Sequence, residues 1–328
     1  MAKKKAPVNA SASLTADTVA ESPSTGTKST TASGFAIQAY KNGILNSRLS
    51  KPPSNIRLIH DYNLRYRNSP SPTESEYKQY VRDVEGARNE ATLLARTNGM
   101  LLKEYQDEGY TKVFNHAFSG FPKDAGVNNG LSAPQPDFVE GLEMQEYYPF
   151  PIDEYIKGAV LYKDDPCSLT LPQLAGEWRS RGKDMDGARL QSSYNGATLV
   201  FARNQALSYI GKPDPPGQSE VMTFTTDGTN LNLFAHYATR SSEDGRLQYY
   251  QYPVDSTNLT ISHQGFKDGR RGLRNGQDWA RQQAYNLRDE LKGHWKQQCH
   301  AGPKETTGEG PLTAADPSSD EMDGDEAS

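Results

Sequence analysis

Cysteine is nearly absent: Cys167 and Cys299 are the only two in 328 residues. That number supports neither a disulfide framework nor a cysteine zinc site, and both read as reduced thiols. No stretch of about 18 consecutive apolar residues occurs, so no membrane-spanning helix is expected. The opening Met1-Ala2-Lys3-Lys4-Lys5 has no apolar segment behind it, which argues against a secretory leader. The expected location is intracellular, nuclear or cytoplasmic. The six histidines are scattered, and none stands at metal-ligand spacing from another histidine or a cysteine. Gly-x-Gly-x-x-Gly, Walker and nucleophile-elbow patterns are also missing, which argues against nucleotide-cofactor enzymes and serine hydrolases.

What is present is unevenly distributed. Residues 1–33 are mostly Ala, Ser, Thr and Lys without apolar periodicity, and are expected to be disordered. Residues 299–328 form an acidic tail, also expected to be disordered. From 303 onward it carries eight acidic side chains against Lys304 alone, a charge of -7. The whole chain stands at -5, so the remainder is +2. Residues 34–298 are expected to form a single α/β domain, large enough for a sizeable core.

Within that domain, residues 35–49 suggest a short helix interrupted at Gly43. Thr73 and Glu76 make a capping-box pattern that opens a helical stretch reaching about Tyr105, with a break near Gly86. Short segments and turns follow, through Pro134-Gln135-Pro136-Asp137-Phe138-Val139. Residues 168–178 read as a strand and 184–210 as a helix stopped by Gly211 and Pro213. Residues 221–225 and 231–237 flank Asp227-Gly228 as a hairpin, and 248–254 offer another strand. A final helix is expected over about 276–297.

Side chains two apart on a strand share a face, so Glu177 and Arg179 stand together while Trp178 points away. A neighbouring strand ending at Asp137 brings a second carboxylate to the same end of the sheet. Paired carboxylates suit a hard cation, Mg2+ or Mn2+, which polarises a phosphodiester and acidifies a bound water. A cation beside them stabilises charge developing on the phosphate.

Pro136-Asp137, a gap of 39 residues, and then Glu177-Trp178-Arg179 resemble the signature of the PD-(D/E)XK, or restriction-endonuclease-like, nuclease superfamily. The segments LSAPQPDFVEGL, LAGEW, ARNQALSY, TFTTDGTNLNLFAHY and SHQGFKDGR are similar to an uncharacterised fungal domain family, and span most of residues 33–295. The resemblance implies a restriction-endonuclease-like core: a mixed central sheet flanked by helices, in the order helix, three antiparallel strands, helix, further strand. It implies Asp137 and Glu177 as metal ligands, assisted by a helical glutamate, Glu90 before Glu85. It also implies Gln191 as a supporting side chain. The superfamily's lysine is Arg179 here, which binds phosphate but is too basic to act as a base. Lys183, in the following turn, is the alternative lysine.

Lys267, Arg270, Arg271 and Arg274 form a basic cluster suited to phosphate contacts with DNA or RNA. A solvated helix face is the plainer reading, since Asp268 and Asp278 interrupt it. Two functions remain open: a magnesium-dependent nuclease or nuclease-derived nucleic-acid-binding protein, and an inactive nuclease-like fold serving as a protein-interaction scaffold.

Overall fold

The computed structural model describes Ser29 and residues 32–162 and 165–300. The expected disordered segments 1–33 and 299–328 lie almost entirely outside the described residues. Where they overlap, Cys299 and His300 are helical rather than part of a tail. Both cysteines are free and exposed.

The elements run α1 (Phe35–Lys41), β1 (Ile44–Leu45), α2 (Ile56–Asn63), α3 (Glu74–Gly86), α4 (Glu90–Leu101), β2 (Tyr110–Phe114), β3 (Phe138–Glu143), α5 (Ile152–Tyr155), β4 (Leu169–Trp178), α6 (Met185–Tyr209), β5 (Val221–Thr226), β6 (Asn230–Arg240), β7 (Leu247–Asn258) and α7 (His263–His300). Seven strands form one mixed sheet in the order β1-β7-β6-β5-β4-β3-β2. β2, β3 and β4 form an antiparallel meander. β5 pairs parallel with β4, a geometry that needs a long crossover, and α6 provides it. β6 and β7 complete the sheet in antiparallel steps, with β1 parallel to β7 at the edge.

Strand alternation sends alternate residues to two cores. Phe138, Leu174 and Trp178 face a cluster with Phe224, Leu93, Phe266 and Leu273, under α4 and the first half of α7. Val139 and Ala175 face the opposite cluster, under α6 and α1, with Tyr194, Ala197 and Phe35. A third cluster joins Ala206 and Leu207 of α6 to Ala284 and Leu287 of α7, around Leu142 and Leu171. It therefore lies at the N-terminal end of β4, away from Glu177. Central α6 is buried on nearly every side from Ser192 to Arg203, as expected of a crossover covering a sheet face. Its polar side chains are satisfied internally: His236 Nε2 and Thr223 Oγ1 are 2.7 Å apart, and Ser192 Oγ lies 2.5 Å from the same hydroxyl. Burial holds His236 down to about 3, so this imidazole is neutral.

Several boundaries differ from the sequence reading. The stretch from Thr73 breaks into two helices after Gly86, as expected, and the second ends at Leu101 rather than near Tyr105. Thr73 forms the full capping box with Glu76, and Asn89 caps the second helix. The last helix begins at His263 rather than near 276. Gly265, Gly269, Gly272 and Gly276 lie at helical spacing; a Cβ at Gly265 or Gly269 would overlap Asn258 or Leu259, and at Gly272 and Gly276 it would come up against Leu233 and Met222. They let the helix lie close on the sheet and mark its packed face. β2 was not singled out by its residue pattern, and β3 starts after Asp137 rather than before it.

Candidate active site

Three chain segments meet at the C-terminal end of β4. The β3–β4 register pairs Val139 with Ala175 and Phe138 with Gly176. One further step places Asp137 opposite Glu177, and alternation turns both toward the α6 face. Asp137 Oδ2 accepts the backbone N–H of Trp178 at 2.7 Å, while its carbonyl accepts from Asn115 N–H at 3.0 Å. The aspartate is thus held by backbone from both neighbouring strands. Glu177 is 1% exposed. Its Oε1 accepts from Asn195 Nδ2 at 2.6 Å, across the gap to α6. The Asp137 and Glu177 carboxyl groups lie close enough for the Asp137 charge to raise Glu177.

The third segment is the start of α4. Asn89 accepts from Thr92 N–H at 2.8 Å and fixes the first turn, with Glu90 as its first residue. Glu90 Oε2 accepts from Arg179 Nη1 at 3.0 Å. The same nitrogen donates to the Trp178 carbonyl, and the Arg179 amide donates to Thr226 O at 2.8 Å. Arg179 is therefore tied to β4, β5 and α4 together.

The electrostatics follow from this crowding. Burial pushes Asp137 up to about 6; the Glu90 charge adds to the shift, while the Trp178 amide and Arg179 oppose it. Burial also holds Glu177 well above the usual carboxylate range, with the Asp137 charge next in importance and Arg179 and Asn195 opposing. Two carboxylates this close resist ionising together unless another cation joins them. The donor set, hard oxygen atoms with uncompensated charge, fits a divalent cation such as Mg2+ or Mn2+. Among the described residues, however, no group of three or more His, Cys, Asp and Glu side chains forms a metal-holding cluster. Glu90 is engaged by Arg179 instead of converging with the pair.

Asp137 and Glu177 are thus brought together, Arg179 and Glu90 pair with each other beside them, and Glu85 stays exposed on α3. Gln191 lies half-buried one helical turn before Asn195, on the same face of α6. Asn195 is the contact that motif reading did not identify; its i+4 spacing from Gln191 was the available signal. Lys183 is exposed in the turn before α6.

The basic cluster lies elsewhere. Arg270 Nε donates to Met100 O at 2.8 Å, and Arg274 donates to Leu101 O at 2.9 Å and Leu102 O at 2.7 Å. Both cap the otherwise unpaired carbonyls at the C-terminus of α4. Arg271 pairs with Asp268 at 3.0 Å. Glu90 opens α4 and these arginines close it, so the length of that helix, about 16 Å, separates them along its axis.

No helix is long and apolar enough to cross a membrane among the described residues. No family model, curated protein or solved structure matches this chain.

Proposed function

We propose that the protein is a metal-dependent phosphodiesterase of the PD-(D/E)XK type, acting on DNA or RNA. The observation that carries this reading is the placement of Asp137 opposite Glu177, one register step beyond Phe138–Gly176, with Arg179 on the adjoining turn. The order α4, antiparallel β2–β3–β4, α6 and β5 supports it, being the order the resemblance implies.

Asp137 and Glu177 would hold Mg2+ or Mn2+, which supplies Lewis acidity toward the phosphate and acidifies bound water. Arg179 neutralises charge on the phosphate oxygens and is kept in place by Glu90. Asn195 orients the Glu177 carboxylate, and Gln191 lies beside it along α6. The Trp178 amide fixes Asp137 so that little reorganisation accompanies binding.

One observation favours a second reading, an inactive nuclease-like scaffold for protein partners. Arg179 stands where the superfamily has lysine, and it is spent partly on an ion pair with Glu90. The test is cleavage of single- and double-stranded DNA and RNA with Mg2+ or Mn2+, comparing the wild-type chain with Asp137→Asn plus Glu177→Gln. Cleavage lost in the variant supports the enzyme. Equal rates, or no cleavage of any substrate by either protein, leave the scaffold.

A further inference from the structure

Arg67, Lys267, Arg270, Arg271 and Arg274 line a cavity of about 200 Å³, together with Tyr66, Ser69 and Asp268. It sits between the loop leading into α3 and the first three turns of α7, at the opposite end of α4 from the carboxylates. Five cations face one carboxylate in its wall. Counting the nearby Glu76 and Asp278, the cations still outnumber the acids five to three.

The local bonds leave donors over. Arg67 gives Nη1 to Asn275 and Asp278, both at 2.6 Å, but its buried Nε has no hydrogen-bond partner. Arg271 likewise uses Nη2 on Asp268 while its Nε is buried and unpaired. Lys267, half-buried in the wall, has neither an ion pair nor a hydrogen bond among the described residues. Unpaired buried donors are costly, and five cations gathered around one cavity against a single carboxylate in its wall are best satisfied by an anion with several acceptor oxygens. Arg274 is held down to about 10 by burial, with Arg270 and Arg67 adding repulsion, which an anion would relieve. Tyr66 supplies a different clue: it is 88% exposed beside this cationic wall, as an aromatic ring available to a base would be.

We propose that this cavity binds one phosphate group of a single-stranded nucleic acid, with a neighbouring base stacking on Tyr66. The proposal rests on the nucleic-acid reading above and adds an anchoring site about one helix length from the carboxylates. Lys267 and the free edges of Arg67 and Arg271 would contact the phosphate. Arg270 and Arg274 supply charge while their capping bonds hold the wall in shape.

The experiment is fluorescence-anisotropy binding of short single-stranded DNA and RNA, with and without a 5′-phosphate, to the full-length chain in EDTA. Inorganic phosphate serves as competitor. The proposal expects competition by phosphate and at least tenfold weaker oligonucleotide binding by Lys267→Gln plus Arg271→Gln. It expects Tyr66→Ala to weaken oligonucleotide but not phosphate binding, and Asp268→Asn to strengthen both. Equal losses with and without the 5′-phosphate identify a backbone phosphate; a loss confined to phosphorylated strands identifies the terminal one. Wild-type binding that is absent, or unchanged in the double variant, overturns the proposal. Cleavage that depends on Asp137 and Glu177 would survive that result, so the two failures are distinguishable.

Discussion

The backbone N–H of Trp178 donates to Asp137 Oδ2 at 2.7 Å, so the residue after Glu177 positions the carboxylate that faces Glu177. That bond fixes two repelling carboxyl groups side by side. The fold keeps them there through strand register, at a cost in stability that the proposed chemistry would explain.

The cost is measurable. Both acids have folded-state pKa values raised above their unfolded ones, so the folded state binds more protons in the intervening window. Their favourable contribution is complete below about pH 4 and is lost as pH rises, through about 6 for Asp137 and through the raised range of Glu177. Asp137→Asn and Glu177→Gln should therefore each stabilise the metal-free protein at pH 7.5 by about 1–2 kcal/mol, since removing one charge of a crowded pair relieves repulsion. Denaturant melts at pH 7.5 and pH 4 check this, and the gain should vanish at the lower pH.

Glu140 offers a pH effect outside the site. It is buried on β3, with Oε2 accepting from Gln277 at 3.0 Å, and burial pushes it up to about 8. Because its folded-state pKa is also raised, its contribution is present near pH 4 and lost as pH passes 8. Glu140→Gln should flatten the stability profile between pH 5 and pH 9 by roughly 4 kcal/mol, because a tenfold change in proton affinity on folding is worth about 1.4 kcal/mol. A profile identical to wild type would contradict this role for Glu140.

Asn195→Leu removes the α6 side chain that donates to Glu177 Oε1. The buried carboxyl loses a partner, and the variant should be less stable by about 1–3 kcal/mol at pH 7.5. Its metal affinity should fall as well, which separates an orienting role from simple packing.

Gly196 faces the ring of His236, and a Cβ there would overlap it. Both are buried between α6 and the sheet, and the ring is held by Thr223. Gly196→Ala should cost about 1–3 kcal/mol through overpacking, read from urea melts.

Much of this arrangement was legible in residue order. The strand-then-helix succession, the Asp227-Gly228 hairpin and the capping box at Thr73 are local signals, and the structure has each where its residues place it. Asp137, Glu177 and Arg179 were also named from pattern, and Glu90 from the family resemblance. Two features resisted because they depend on packing. The glycine-bearing first turns of α7 fell outside the expected final helix, because their close approach to the sheet shows only once the fold is packed. Arg270 and Arg274 read as free cations until the end of α4 is placed beside them. Asn195 was hidden for the same reason, as a polar side chain on a helix acquires its meaning from the strand beneath.

The most direct test is calorimetric titration of Mg2+ and Mn2+ into the full-length chain at pH 7.5, for wild type, Asp137→Asn and Glu177→Gln. A carboxylate metal site predicts binding with proton release in the wild type, because the raised carboxyl groups must ionise to coordinate the ion, and loss of binding in both variants. Absence of binding by the wild type at millimolar metal, or equal binding by all three proteins, would contradict it.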